Sequence, residues 1–171
     1  PSTVASIENQ AFYGCSNLKT LTFPASYKAE TLSFGLTPFV SCPAFEGYVI
    51  EDGASIVRTE DGTLLAGGGK VLVSLPRDFK GTSYTVPDGV ETISDYLFYK
   101  NTTITSVTLP ASLKKIGTAA FQGCTKLTSI ALPDGFTTLG EHAFDGCSGL
   151  KTVTFGQSLT AVRAYAFSNC S

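Results

Sequence analysis

Ile116-Gly-Thr-Ala-Ala-Phe-Gln-Gly-Cys-Thr-Lys-Leu-Thr-Ser-Ile-Ala-Leu-Pro133 decides the fold, because its apolar residues return every 23 positions. Phe98, Phe121, Phe144 and Phe167 keep that interval, and so do Cys124, Cys147 and Cys170. The same step relates Ile104, Leu127 and Leu150; Val107, Ile130 and Val153; and Leu109, Leu132 and Phe155. Pro87, Pro110 and Pro133 form another column, followed by Gly156. Leu113, Phe136 and Leu159, with Ile93, Ile116, Leu139 and Val162, complete the register. A fixed period of this length is the signature of stacked structural units, each too small to bury its own apolar side.

Working outward, Val4, Ile7, Phe12, Gly14, Cys15, Leu18, Leu21 and Phe23 match residues 109 positions later. Phe39, Cys42, Phe45, Tyr48 and Ile50 form a degenerate unit 27 residues after the first, which places a short insertion within Ala25–Pro38. A second excess falls in Glu51–Gly81. There the runs Ser55–Thr59, Thr63–Ala66 and Val71–Leu75 read as strands. Asp61-Gly62 is a hairpin signal between the first two, and Gly67-Gly68-Gly69-Lys70 turns the chain before the third.

Within one unit, Ile130 and Leu132 are two apart, as on one face of a strand. Pro133 ends the ladder and Asp134-Gly135 turns the chain. Glu141–Asp145 is expected to make one helical turn, with Ala143 and Phe144 inside. Gly14, Gly123 and Gly146 stand where positive φ is needed, and Asn169 tolerates the same conformation. Each phenylalanine is expected to pack on that of the next turn, so Phe12, Phe98, Phe121, Phe144 and Phe167 form one interior column.

The 116–133 pattern resembles the BspA-type leucine-rich repeat. The resemblance covers Pro1–Pro24 and Thr82–Ser171 well and the middle loosely. It implies an α/β-class leucine-rich-repeat solenoid, mostly β with short helical turns, carrying an inserted β meander at about 51–81. That family includes a short β insertion ending in a stretch like Thr82-Ser-Tyr-Thr-Val-Pro-Asp-Gly-Val-Glu-Thr-Ile93. It also implies surface or secreted proteins of anaerobic mouth and gut bacteria and some protists, some of which bind host matrix or plasma proteins.

Residues 1–171 read as one solenoid domain. Both ends fall inside repeats, without the polar caps a solenoid needs, so a segment of a longer chain is expected. Net charge −2 and a pI near 5.3 give no electrostatic footprint for nucleic acid. No apolar run is long enough to span a membrane. The five cysteines share one repeat column, which predicts buried thiols donating to backbone rather than disulfides.

The chemistry-bearing motifs are weak. Gly67-Gly68-Gly69-Lys70 lacks the flanking glycine and hydroxyl of a phosphate loop, since Leu64 and Val71 stand there. His142, the only histidine, falls in a variable column with Tyr96, Ala119 and Tyr165 and reads as a solvent-facing residue. Glu51-Asp52-Gly53 and Glu60-Asp61-Gly62 are acidic turns with too few ligands for calcium. Asn101-Thr-Thr and Asn169-Cys-Ser match a glycosylation sequon, but Asn101 sits in the cysteine column, where its side chain should bond backbone. No catalytic residue, metal ligand or cofactor site emerges.

The informative surface is the outward strand face. Alternation assigns to it Thr20, Thr22, Ser106, Thr108, Ser129, Thr152 and Thr154, together with Gly47, Val49, Ser83, Thr85 and Ala131. Tyr13 and Tyr99 are the aromatic candidates at the turn edge. Taken with what the resemblance implies, the expectation is a non-catalytic adhesion or binding module at the cell surface or secreted, with a protein or glycan partner. The alternative is a structural spacer with no ligand.

Overall fold

The structure, a computed structural model, describes residues 4–28, 30, 32–35, 38, 41–75 and 79–171. The chain divides into two compact units, Pro1–Arg77 and Asp78–Ser171.

In the first unit, β1 (Ser6–Ile7) pairs in parallel with β3 (Ser33–Phe34), and β2 (Thr20–Phe23) with β4 (Gly47–Ile50). The register Leu21↔Tyr48 and Ile7↔Phe34 makes this coil 27 residues long, as the degenerate unit required. The extra length falls between β2 and β3 and brings in Tyr27, which is buried and donates its hydroxyl hydrogen to the Val4 carbonyl. Phe39, assigned to this unit from the sequence, lies outside the described residues. Cys42 and Phe45 are buried.

The insertion forms the expected meander. β5 (Val57–Arg58), β6 (Leu64–Ala66) and β7 (Val71–Ser74) pair antiparallel in sequence order. Asp61 locks the first turn, its carboxylate accepting from the Thr63 N–H at 3.0 Å and from the Thr59 hydroxyl. The hydrogen bonds, that from Thr59 first, hold the Asp61 carboxyl below the ordinary carboxylate range. Gly67–Gly69 makes the second turn with φ of 59°, 64° and 97°, a left-handed run that side chains disfavour. Leu64, Ala66 and Val73 join Phe23, Tyr27, Leu32, Phe34 and Ile56 in one apolar cluster. Tyr48 packs beside it, stacked on Phe34 at 5.7 Å. Burial pushes the Tyr48 hydroxyl up to about 12, partly offset by a hydrogen bond with Ser74.

The second unit coils regularly at 23 residues and has three walls. The first wall carries β8 (Ser83–Thr85), β10 (Ser106–Thr108), β12 (Ser129–Ala131) and β14 (Thr152–Thr154). β8 pairs in parallel with β10, and β12 with β14. The second wall is a parallel ladder of two-residue strands, β9 (Thr92–Ile93), β11 (Lys115–Ile116), β13 (Thr138–Leu139) and β15 (Ala161–Val162).

The third wall is made of turns. Every second backbone N–H donates forward to the next coil, while others, such as Tyr99 to Tyr96 and Gln122 to Ala119, close turns within their own coil. Tyr96 donates to Thr118 (2.9 Å), Ala119 to Glu141 (2.8 Å) and His142 to Ala164 (3.0 Å). Because Thr118 and Ala119 share one peptide group, as do Glu141 and His142, these bonds join into a continuous file. Phe98, Phe121 and Phe144 donate to Ala120, Ala143 and Ala166 in a second file, and Lys100, Gly123 and Gly146 start the bonds of a third.

Here one expectation is corrected: Glu141–Asp145 forms consecutive turns and no helix. His142 has φ 53°, as do its column partners Tyr96 (58°), Ala119 (51°) and Tyr165 (58°) at nearly the same value. A left-handed residue at the start of the segment breaks the helical run before it closes. The glycine column four residues on is left-handed too, with Lys100 (53°) and Asn169 (55°) adopting it without glycine.

Inside, Phe98, Phe121 and Phe144 are buried and stack in succession, Phe98 on Phe121 at 4.7 Å. Phe167 continues the stack at 5.4 Å from Phe144. Each buried ring contributes about 1.5–3 kcal/mol by leaving water. These four rings form the expected column within this unit; Phe12, the fifth residue expected in it, belongs to the first unit, where it is half-buried against the apolar cluster.

The five cysteines are free thiols. Cys124, Cys147 and Cys170 donate to the carbonyls of Phe98, Phe121 and Phe144 at 3.1, 3.0 and 3.2 Å. Cys42 bonds the Phe12 carbonyl at 2.9 Å in the first unit. The column is not uniformly buried, since Cys15 is exposed and Cys170 half-buried. The Cys147 sulfur beside it, and then burial, push the Cys124 thiol up, so it remains a donor. Asn101 replaces the thiol by accepting from the Thr103 and Ile104 N–H groups at 3.0 Å, so its side chain bonds backbone as predicted.

Candidate binding face

The first wall of the second unit alternates without exception in β8, β10 and β12: exposed, buried, exposed. Tyr84, Val107 and Ile130 turn inward, while Ser83, Thr85, Ser106, Thr108, Ser129 and Ala131 face solvent. In β14, Thr152 and Thr154 are exposed and Val153 is half-buried. Register pairs Ser83 with Ser106, Thr85 with Thr108, Ser129 with Thr152 and Ala131 with Thr154. Neighbouring parallel strands lie about 4.8 Å apart. The result is two parallel rows of short side chains.

The predicted set is thus divided. Ser106, Thr108, Ser129, Thr152 and Thr154 share this wall. Thr20 and Thr22 are exposed on β2 in the first unit, paired with Gly47 and Val49. Val49 is itself exposed, so the strip there is more apolar. Among the described residues, none of the seven hydroxyls is engaged in a hydrogen bond; the neighbouring Thr105 and Thr128 instead donate to backbone carbonyls one coil back. The strip therefore presents hydroxyls as donors and acceptors, without charge.

Of the aromatic candidates, Tyr13 is 61% exposed. Tyr99 is half-buried, with Tyr96 edge-on at 5.9 Å and the Lys100 ammonium 5.2 Å from its ring centre. His142, expected at the surface, is half-exposed and tied in: Nδ1 lies 3.2 Å from the Asp145 carboxylate and the ring stacks on Tyr165 at 5.0 Å. Asp145 also accepts from Asn169 Nδ2 (2.9 Å) and Gln122 Nε2 (2.8 Å). It thereby links three coils. These bonds, Asn169's first, hold its carboxyl below the ordinary range.

No nucleophile is paired with His142 in this network. Among the described residues no group of His, Cys, Asp and Glu side chains could hold a metal ion, and no helix is long and apolar enough to cross a membrane. The acidic turn at Glu51 is structural, its carboxylate accepting from the Ala25 N–H at 2.9 Å.

The column Ile93, Ile116, Leu139 and Val162 was legible as a repeat, but not as the strands of a second wall. Two residues of alternation, as in Lys115-Ile116, are too few to register as a strand.

The family described as BspA type leucine rich repeat region matches the chain in six copies, over residues 1–57 and 77–171. No curated protein sequence matches significantly. Among solved structures, a leucine rich cell surface protein of Faecalibacterium prausnitzii is similar at 23% identity and TM-score 0.63, over 99% of this chain and 50% of that one. The pneumococcal vaccine antigen PcpA is similar at 25% identity and TM-score 0.60, over 90% and 46%. The chain thus spans about half the length of the structures it resembles.

Proposed function

Because this chain belongs to the BspA-type leucine-rich-repeat family, we propose that it is a non-catalytic binding module of a cell-surface or secreted protein, docking a host protein or glycan on its strand face. One observation carries the reading: the first wall of the second unit, built of two strand pairs, is an uncharged strip whose hydroxyls have no partner among the described residues. Short side chains let a partner approach the sheet closely, and they lose little rotamer freedom when covered. The similar protein from F. prausnitzii, described as a leucine rich cell surface protein, supports the location.

The strip has no large aromatic anchor, so the contact depends on area and hydrogen bonding rather than on one hot spot. It also has no charge, so binding should change little between low and physiological salt.

The test is binding of the folded chain to immobilised host matrix and plasma proteins, with and without the triple substitution Ser106→Arg, Ser129→Arg and Thr152→Arg. The expected result is saturable binding abolished by the triple variant at unchanged melting temperature. Binding lost only on deleting residues 51–80 would move the contact to the meander. Failure of the intact chain to bind any of these proteins or their glycans would favour the spacer reading.

A further inference from the structure

The second wall carries a shallow open cavity of about 520 Å³, lined by Lys115, Thr118, Thr138, Gly140, Glu141 and Arg163. Its shape follows from one column of the repeat. A side chain at Gly140 would meet the Gly117 carbonyl carbon at 2.5 Å, and one at Gly117 would meet the Asp95 carboxylate at 2.3 Å. Two successive coils therefore carry no side chain there, and the wall dips. Arg163, the next member of the column, closes one end of the dip. Lys115, on the coil before Thr138, closes the other.

Lys115, Glu141 and Arg163 make no ion pair among the described residues, although all three line one cavity. The backbone of the floor is already satisfied, Gly140 N–H donating to Ile116 and Gly117 N–H to Ile93 at 2.9 Å each. The free recognition groups are therefore two cations, one carboxylate and the Thr118 hydroxyl; the Thr138 hydroxyl is shared with that of Thr137 at 3.4 Å. The cations come from coils two apart and from columns two residues apart, so their backbones are separated by roughly 11–12 Å at the parallel-strand spacing and rise.

We infer that this cavity is a binding site for a short acidic glycan, a uronic-acid disaccharide whose two carboxylates meet Lys115 and Arg163. Charge-assisted hydrogen bonds from ammonium and guanidinium groups hold carboxylates. Glu141, which only accepts, and the two threonine hydroxyls suit the sugar hydroxyls between them. No aromatic or aliphatic side chain lines the cavity, so a neutral sugar or an apolar peptide finds no platform. This site is separate in residues from the strand face and does not depend on that reading.

Calorimetric titration of the folded chain with digalacturonate, sialyllactose, cellobiose and a tetraglutamate peptide tests it. The expected result is saturable millimolar or tighter binding of digalacturonate, weakened by added salt, with weaker binding of sialyllactose and none of cellobiose. Lys115→Gln and Arg163→Gln should each lower that affinity at least about tenfold, while Lys151→Gln and Lys126→Gln leave it unchanged. All four residues are exposed, so the variants should keep the parent circular dichroism spectrum. Absence of digalacturonate binding in the millimolar range, or binding indifferent to Lys115→Gln and Arg163→Gln, would overturn the assignment. Tighter binding of tetraglutamate or sialyllactose than of digalacturonate would do so as well.

Discussion

The rings of Phe121 and Phe144 lie 4.9 Å apart and within 4° of parallel, a separation equal to one coil step. The column of phenylalanines therefore repeats at the spacing of the backbone, and Phe121 and Phe144 each touch one ring above and one below.

Phe121→Ala removes the ring with a stacked neighbour on both sides and no exposure. It should lower stability by about 3–5 kcal/mol, the cost of a buried phenylalanine deleted from a core that collapses only partly. Urea denaturation followed by circular dichroism measures it, and a loss below about 1 kcal/mol would contradict the stack.

Thiol reactivity should sort by position. In the native chain Cys15 reacts quickly with a disulfide reagent, Cys170 more slowly, and Cys42, Cys124 and Cys147 only on unfolding. Denatured without reductant, the chain should release five equivalents. Fewer than five would reveal a disulfide.

Two glycines should differ in kind. Gly140→Ala drives a methyl group into the Gly117 backbone and should cost about 1–3 kcal/mol or more, as overpacking does. At Gly146 the nearest atom to an added Cβ is 3.8 Å away, and only the positive φ of 71° opposes alanine, at roughly 1 kcal/mol. Thermal melts of both variants would sink the argument if Gly146→Ala proved the more damaging.

Asp145 ties three coils together while ionised. Its folded pKa is depressed, so its contribution is present above the ordinary aspartate value and is lost as pH falls through the folded one. Stability should therefore drop less steeply below about pH 4 in Asp145→Asn than in the parent chain. Parallel acid-denaturation curves for the two would show that the carboxylate network contributes nothing.

Columns that repeat by residue type were legible in advance. Phe98 through Phe167 gave the interior stack, and Ser106, Thr108, Ser129 and Thr152 gave the outward face, because strand alternation and a 23-residue step leave one arrangement. The left-handed positions at Tyr96, Ala119, His142 and Tyr165 were not legible. Nothing in those residue types signals positive φ, and the inter-coil hydrogen bonds impose it. The cavity was hidden for another reason. Lys115, Glu141 and Arg163 come from three coils and three different columns, so no local spacing brings them together.

The hydrogen-bond files of the third wall have an electrical consequence. In an ordinary ladder the N–H groups alternate in direction, and their dipoles largely cancel. Here every bond in the files begun by Tyr96, Phe98 and Lys100 runs the same way, peptide after peptide, as along an α-helix. The wall therefore acts as a macrodipole without being a helix, its negative pole at the coil of Tyr96 and its positive pole at the coil of Tyr165. By analogy with helices, each pole amounts to about half an elementary charge. The solenoid is thus polar along its axis: the two ends of the same wall present opposite fields to whatever adjoins them.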